Sequence, residues 1–374
     1  MNTHLISLGW NETFQFHFES IKEEEFIPAR VTRENRGQYI IHTGHNVSIA
    51  RMNPAVNKRM QSSGIKPTVG DWLAVEPSSL DSGYEVRHIL PRSSHFERQV
   101  AGKTSDLQSV AANFDYLFLV SGLDGDFNPN RIQRYLSLAW NGQTQPVVIL
   151  NKKDLADDLQ NILNEVRKVA KGIPIKSISA IDPSSLECLA EFLGTGKTIA
   201  LLGSSGVGKS SLINALLGED RLATKAVRNQ DSRGRHTTTW RELVQAPDGT
   251  LLIDLPGMRE LQLTDQSEGI SKTFSDIEQL AANCRFRNCQ HAGEPGCAVE
   301  AAIENGTLDR DRYRQFTKLI YENAQSRQRI ASKQSPNTPT QQRRQDKENY
   351  FKEIHIQLRK NTKARKKYFN DEDL

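Results

Sequence analysis

Residues 201–212 read LLGSSGVGKSSL, and few stretches of twelve residues restrict a chain so severely. An apolar run, Thr198–Leu202, enters it as an expected strand, and Ser211–Leu217 leaves it as an expected helix. Between them Gly203, Gly208, Lys209 and Ser210 satisfy G-x-x-x-x-G-K-S. A strand, tight turn and helix start of this kind aim the backbone N–H groups of Ser204, Ser205, Gly206, Val207 and Gly208 at the α- and β-phosphates of a nucleotide. Lys209 then reaches the β- and γ-phosphates, and the Ser210 hydroxyl, with Ser211 behind it, ligates Mg²⁺. The alternative is a chance match in a Gly/Ser loop, and the flanking strand and helix argue against it.

The 374 residues allow two or three domains. Only 37% of them are apolar, which is low for a compact globule and points to a tail. The charge is concentrated there: Ser326–Leu374 holds 13 Lys and Arg against 6 Asp and Glu, a net +7, while the whole chain is at +4 and residues 1–325 are therefore at −3. A basic end suits RNA or another polyanion, with a solvated tail as the plain alternative. There is no apolar run of 18 residues, and the opening MNTHLISLGWNETFQF lacks the basic-then-apolar order of a signal peptide, so the expectation is a cytoplasmic protein without membrane contact.

Residues 1–26 read as a weakly patterned lead. Five short strand candidates follow, at Ala29–Val31, Gly37–Thr43, Val47–Ala50, Asp71–Val75 and Tyr84–Ile89, which suit a small closed barrel of the OB type. Arg30, Arg33, Arg36, Arg51, Lys58 and Arg59 form a charged rim for RNA backbone or for water, and Trp72 reads as core. Residues 91–110 read as a polar connector in which Arg92, His95 and Arg98 meet RNA or solvent. From Ala111 on, strands and helices alternate: strands at Tyr116–Val120, Pro146–Leu150 and Pro174–Ile178, helices at Asn130–Ala139, Leu155–Val169 and Ser184–Phe192. That alternation predicts a parallel sheet covered on both faces.

Each remaining motif lies just past one of these strands, where open α/β sheets bind ligands. Asn151-Lys152-Lys153-Asp154 supplies a carboxylate, on Asp154, that accepts from N1–H and the exocyclic amine of guanine, a pattern adenine lacks. Asn151 would brace the loops, and the Lys152 stem would lie along the base. Ser179-Ala180 offers backbone N–H to guanine O6. Gly234-Arg235-His236-Thr237-Thr238-Thr239 is a candidate first switch whose threonine completes the Mg²⁺ shell, the plain alternative being a threonine-rich strand entry. In Asp254-Leu255-Pro256-Gly257, Asp254 holds Mg²⁺ indirectly and Gly257 N–H meets the γ-phosphate. Met258 follows, where many GTPases place a water-orienting glutamine. The order of these motifs is that of a GTPase whose termini have moved, so the segment after Asp254 leads directly into a C-terminal module.

That module holds Cys284, Cys289, His291 and Cys297, spaced C-x4-C-x-H-x5-C. Three thiolates and an imidazole within 14 residues read as one closed structural Zn²⁺ site. Cys188, far away in sequence, reads as a small core residue. Helices are expected at Ala298–Ile303 and Arg310–Ala324, disorder beyond Gln325, and a short basic helix at Tyr350–Arg359.

An OB-type barrel, a circularly permuted phosphate-loop GTPase domain and a zinc-binding helical module together resemble the RsgA family of small-subunit-dependent GTPases. The resemblance spans about residues 27–325 and rests on Ala112-Asn113 with Asp115, Phe127-Asn128, Arg131 with Arg134-Tyr135-Leu136, Asn151–Asp154, Gly203–Ser211, Gly234–Thr239, Asp254–Gly257 and the four zinc ligands. It implies hydrolysis of GTP to GDP and phosphate in late maturation of the 30S ribosomal subunit, stimulated by that subunit, with barrel and zinc module on 16S rRNA near the decoding region and with release of other maturation factors. It further implies that His236 is the catalytic histidine, acting beside Lys209, and that Thr238 is the switch threonine, with Thr237 and Thr239 as alternatives. The expected cofactors are one Zn²⁺ and Mg²⁺ with GTP. Neither DNA nor a membrane is an expected partner, and a monomer is expected. The expected domains are 1–100, 101–270, 271–325 and a basic tail, 326–374. A lead that is not basic departs from the family, and the tail carries the charge instead. Two rival readings are a GTPase acting on another structured RNA and a non-catalytic RNA-binding assembly protein.

Overall fold

The computed structural model describes residues 2–21, 25–35, 37–53, 56–57, 66–78, 82–99, 107–125, 127–221, 242–255 and 266–334. These fall into two compact units, residues 2–255 in one and 266–334 in the other.

The lead is more ordered than its pattern suggested. Asn2 and Asn11 cap two short helices, α1 (Thr3–Ile6) and α2 (Glu12–Glu19), each accepting a backbone N–H at its helix start. Leu5, Leu8, Trp10 and Phe14 pack on Trp72 and Leu90, with the Trp10 and Trp72 rings edge to face at 4.6 Å. Strands β1 (Ile27–Asn35), β2 (Gln38–His42), β3 (Val47–Met52), β4 (Trp72–Pro77) and β5 (Tyr84–Ile89) close a barrel in the order β1-β2-β3-β5-β4. Strand alternation fills it with Ala29, Val31, Tyr39, Ile41, Ala50, Leu73, Val75 and Val86.

One expected rim cation is interior, and one connector cation is half-buried in an ion pair. Arg30 is only 1% exposed and donates to three backbone carbonyls: Leu8, Gly70 at 3.4 Å and Asn113 at 2.7 Å. Arg92 forms a bidentate pair with the fully buried Asp71 at 2.8 and 2.7 Å. Both belong to the packing between barrel and sheet rather than to an RNA-facing rim. Arg51 does lie exposed on β3, whereas Arg36, Lys58 and Arg59 lie outside the described residues. The expected connector contains an antiparallel pair, β6 (His95–Gln99) with β7 (Leu107–Ala112).

The sheet follows, in the order β10-β9-β8-β11-β13-β12, from β8 (Tyr116–Gly122), β9 (Gln145–Asn151), β10 (Ile175–Ser177), β11 (Thr198–Gly203), β12 (Leu243–Gln245) and β13 (Leu251–Asp254). All neighbours are parallel except β12 with β13. Helix α3 (Pro129–Asn141) follows β8, α4 (Leu159–Val169) follows β9, and α5 (Lys209–Leu217) follows the phosphate-loop strand β11. The chain steps outward from β8 through β9 to β10 and then returns to place β11 on the other side of β8. The sheet therefore has its topological switch point between the C-terminal ends of β8 and β11, the position at which such sheets bind ligands. Residues 183–192 form a 3-10 helix rather than an α-helix, and Cys188 on it is exposed, contrary to the core role expected of it.

The second unit is helical: α6 (Ser267–Thr273), α7 (Ser275–Ala282), α8 (Ala298–Glu304) and α9 (Arg310–Gln334). Helix α9 runs ten residues past the expected end. The tail beyond 334, with its expected basic helix, lies outside the described residues. Among the described residues no helix is long and apolar enough to cross a membrane.

Candidate functional site

The phosphate loop is shaped by contacts that leave no room for side chains. A Cβ on Gly203 would come within 2.4 Å of the Val120 carbonyl, and one on Gly208, where φ is +95°, within 2.2 Å of Asn151 Nδ2. Val207 is buried in the sheet core, while Ser205 and Gly206 are exposed at the mouth of the loop. Lys209, 8% exposed, folds back so that Nζ donates to the Gly203 carbonyl at 2.8 Å and the Ser204 carbonyl at 2.9 Å. Burial lowers its pKa while the nearby Asp254 opposes the shift. Ser210 and Ser211 follow in the first turn of α5.

Three residues of the N-K-x-D motif meet this loop or its neighbours. Asn151 Nδ2 donates to the Val207 carbonyl at 2.9 Å, and its Oδ1 accepts from Ala180 N–H at 3.0 Å. Lys152, in a left-handed turn at φ +65°, donates to the Gly206 carbonyl at 2.8 Å and pairs with Asp124. Asp154 Oδ1 accepts from the Ser179 hydroxyl. Ser179 N–H donates to Ser185 Oγ at 2.9 Å, so both backbone donors of the Ser179-Ala180 pair have partners within the protein. Sequence reasoning missed Ser185, which buttresses this turn, and Asp124, which pairs with Lys152. It noted Arg131 without a role and Tyr135 as a packing residue, yet Arg131 Nη1 donates to Ser204 Oγ at 2.9 Å and the Tyr135 hydroxyl lies 3.4 Å from the same oxygen. That Asp124 and Arg131 follow a strand end in a sheet of this class was the available signal.

Asp254 ends β13 and is the register partner of Leu201 on β11, which places it at the root of the phosphate loop. Its Oδ1 is buried without a hydrogen-bond partner among the described residues, and burial raises the carboxyl to about 6 even though Lys209 opposes this. A carboxylate left thus, beside a loop that begins a helix with Lys209-Ser210, suits an Mg²⁺-bound water, so these residues fit Mg²⁺ with a nucleotide. His236, Thr237, Thr238, Thr239, Gly257 and Met258 lie outside the described residues.

The second unit brings its four ligand residues together, all buried and with ligand atoms within 4.8 Å of one another. His291 Nδ1 lies 3.5 Å from Cys284 Sγ, 3.5 Å from Cys289 Sγ and 3.2 Å from Cys297 Sγ, and the Cys284 and Cys297 sulfurs are 4.0 Å apart. A tetrahedron with ordinary Zn–S and Zn–N bonds has edges of about 3.8 Å between sulfurs and about 3.5 Å from sulfur to nitrogen. The donor set and its spacing thus fit one closed Zn²⁺ site. Without a cation, burial raises the Cys289 thiol to about 12 and raises that of Cys297, and a divalent ion supplies the charge that stabilises their thiolates.

A family profile described as RsgA GTPase matches residues 89–264. The Opitutus terrae protein named small ribosomal subunit biogenesis GTPase RsgA is 42% identical over 335 residues, covering 87% of this chain and 91% of its own. The Vibrio vulnificus protein named small ribosomal subunit biogenesis GTPase RsgA 2 is 42% identical over 320 residues, covering 86% and 88%. The crystal structure of YjeQ from Thermotoga maritima superposes with a TM-score of 0.59 at 25% identity, over 80% of this chain and 98% of that one. YloQ, described as a circularly permuted GTPase, has the same fold, with a TM-score of 0.56 at 23% identity over 81% and 96%. The phosphate loop, held by Asn151 and Lys152 from an earlier segment, lies in a fold shared with YjeQ and YloQ, the two RsgA proteins are matched at 42% identity over 91% and 88% of their length, and the chain belongs to the RsgA GTPase family.

Proposed function

We propose that this protein hydrolyses GTP to GDP and phosphate as a factor in small ribosomal subunit biogenesis, turning over when it engages the 30S subunit through 16S rRNA in the cytoplasm. The observation that supports the reading is the hydrogen bond from Asn151 to the Val207 carbonyl, which ties the N-K-x-D loop to the phosphate loop. The relatives' names supply the small subunit as the partner. The lack of a membrane-crossing helix among the described residues is compatible with a cytoplasmic place of action.

In this reading Asp154 accepts from the guanine N1–H and amine, the Lys152 stem covers one face of the base, and Ala180 lies at the O6 edge. Residues 203–208 surround the α- and β-phosphates, and Lys209 extends to the β/γ bridge from its seat on the Gly203 and Ser204 carbonyls. Ser210, Thr238 and, through water, Asp254 hold Mg²⁺, which when bound neutralises charge on the β- and γ-phosphates. Gly257 N–H contacts the γ-phosphate. The family resemblance assigns the orientation of water to His236 once rRNA positions the first switch, a role the weakly accepting thioether of Met258 does not fill. A trans-acting element of this sort contributes about 10³–10⁵ in related enzymes. The domains act as 1–100 for RNA contact, 101–270 for GTP and 271–325 as the zinc module, with the basic tail 326–374 adding affinity for polyanions. The protein works as a monomer and has no DNA partner.

The test is His236→Ala. It is expected to keep its affinity for GTP and to lose subunit-stimulated turnover; stimulated turnover equal to that of the unaltered protein would remove His236 from the mechanism. Stimulation by another structured RNA and not by the small subunit would transfer the reading to that RNA.

A further inference from the structure

The switch-point crevice has two walls. One is the phosphate loop after β11, and the other is formed by the segment after β8, residues 123–125 and 127–131, which belong to none of the nucleotide-binding motifs. Two charged residues of that segment grip the loop at separate points. Arg131, in the first turn of α3, donates from Nη1 to Ser204 Oγ at 2.9 Å, and the hydroxyl of the buried Tyr135, one turn later, lies 3.4 Å from the same oxygen. Asp124 pairs with Lys152 Nζ, which also donates to the Gly206 carbonyl. The loop is therefore held at Ser204 directly and at Gly206 through Lys152.

Ser204 matters because of what its other polar group does. Its carbonyl, with that of Gly203, seats Lys209 Nζ, so the orientation of this one peptide sets where the lysine ammonium rests. A hydroxyl fixed from outside by a guanidinium limits rotation of the residue that carries that carbonyl. The start of α3 is itself fixed: Asn128 Oδ1 accepts from Asn130 N–H at 3.0 Å and Arg131 N–H at 3.3 Å, and Ile132 and Leu136 are buried. The guanidinium is thus carried on a rigid element rather than on a loop, which is what a positioning group requires.

We infer that Arg131 is a positioning residue for the nucleotide: acting through Ser204, it fixes the phosphate loop, and with it the carbonyl seat from which Lys209 extends, before the nucleotide arrives. This inference rests on the proposed GTPase reading and adds a residue to the same site. Because the Arg131–Ser204 contact is made without nucleotide and lies at the root of the loop, its loss weakens GTP and GDP alike and leaves the chemical step at saturation little changed.

The experiment measures equilibrium binding of fluorescent GDP and of a fluorescent non-hydrolysable GTP analogue, with kcat and KM for GTP, in the full-length chain. The unaltered protein is measured first: failure to bind either guanine nucleotide would overturn the GTPase reading itself, and the inference with it. Given binding, Arg131→Ala is expected to weaken both nucleotides about tenfold, and to raise KM by a similar factor with kcat changed less than about twofold. Ser204→Ala is expected to cause a comparable loss, and the double variant no more than either single one. Arg131→Lys, which keeps a donor at this position, is expected to recover part of the affinity. Unchanged affinity in Arg131→Ala, a loss confined to the GTP analogue, or additive losses in the double variant would each overturn the inference. Ser204→Ala removes only a hydroxyl, which keeps the test valid if Arg131→Ala folds poorly.

Discussion

Asn151 Nδ2 donates to the carbonyl of Val207, 56 positions later in the chain, and the amide's Oδ1 accepts from Ala180 N–H. One side chain thus joins the N-K-x-D loop, the turn after β10 and the phosphate loop. Gly208 is the residue that lets it approach, since any Cβ there would collide with the amide.

Asn151→Ala removes both bonds and leaves a buried carbonyl and a half-buried N–H to find new partners. Each lost bond of this kind is worth about 1–3 kcal/mol. GTP and GDP affinities are therefore expected to fall by about 10- to 100-fold, with the preference for guanine over adenine nucleotides reduced as well. Competition titrations with GTP, GDP and ATP measure this, and unchanged affinities would contradict the bracing role.

The buried Asp254 carboxyl gives the nucleotide-free protein a pH dependence of known sign. Burial raises it from 3.8 to about 6, so between those values the folded chain holds a proton that the unfolded chain has released. The stability from this group is present below about pH 4 and is lost as pH rises through about 6, a change of up to about 3 kcal/mol. Mg²⁺ with GDP favours the ionised form, so its stabilising effect is expected to grow from pH 5 to pH 7.5. Asp254→Asn is expected to stabilise the nucleotide-free protein at pH 7.5 and to abolish that part of the slope. Denaturant midpoints at both pH values, with and without Mg·GDP, test it; parallel pH profiles for the two proteins would contradict the assignment.

The four-ligand cluster predicts one Zn²⁺ per chain, held with no open position. Cys297 also caps α8, its sulfur accepting from Glu300 N–H at 3.4 Å, so Cys297→Ser removes a ligand where the helix begins. Elemental analysis is expected to find about one zinc in the purified protein and much less in this variant, with helical signal lost when a strong chelator is added. Full zinc occupancy in Cys297→Ser would show that the sulfur is not a ligand.

Arg30 is expected to be more important to stability than to RNA. Its guanidinium bridges Leu8 in the lead, Gly70 in the barrel and Asn113 before the sheet, and stands 5.4 Å over the Trp72 ring. Desolvation lowers its pKa to about 10, so it remains charged at neutral pH. A lysine carries its three donors on one nitrogen, whereas Arg30 meets the three carbonyls from Nε, Nη1 and Nη2, spread around a planar fork. Arg30→Lys is therefore expected to destabilise the first unit by about 2–4 kcal/mol. Chemical denaturation measures the loss, and a stability equal to that of the unaltered protein would return Arg30 to the surface role first expected of it.

Much of this fold was readable from sequence because its signals are local. Barrel strands, buried parallel strands and the phosphate-loop helix each carry their own periodicity and turn residues, and the zinc ligands lie within 14 residues. The order of the motifs disclosed the permutation for the same reason. What could not be read depends on partners distant in sequence. Nothing near Arg30 announces carbonyls at positions 8, 70 and 113, and nothing near Arg92 announces the buried Asp71. The lead helices are four and eight residues long, too short for a periodic pattern, and are held by Trp72 rather than by their own propensity. Cys188 lies on a 3-10 helix, whose three-residue turn rotates the side chains away from the faces an α-helix would present.

Release of phosphate from GTP and from ATP, with and without purified small ribosomal subunits, separates a subunit-stimulated GTPase from every rival reading. Slow release from GTP alone, a large acceleration by the small subunit, and little release from ATP under either condition are expected. Equal turnover of GTP and ATP, or a rate for GTP that the small subunit leaves unchanged, would contradict the proposed function.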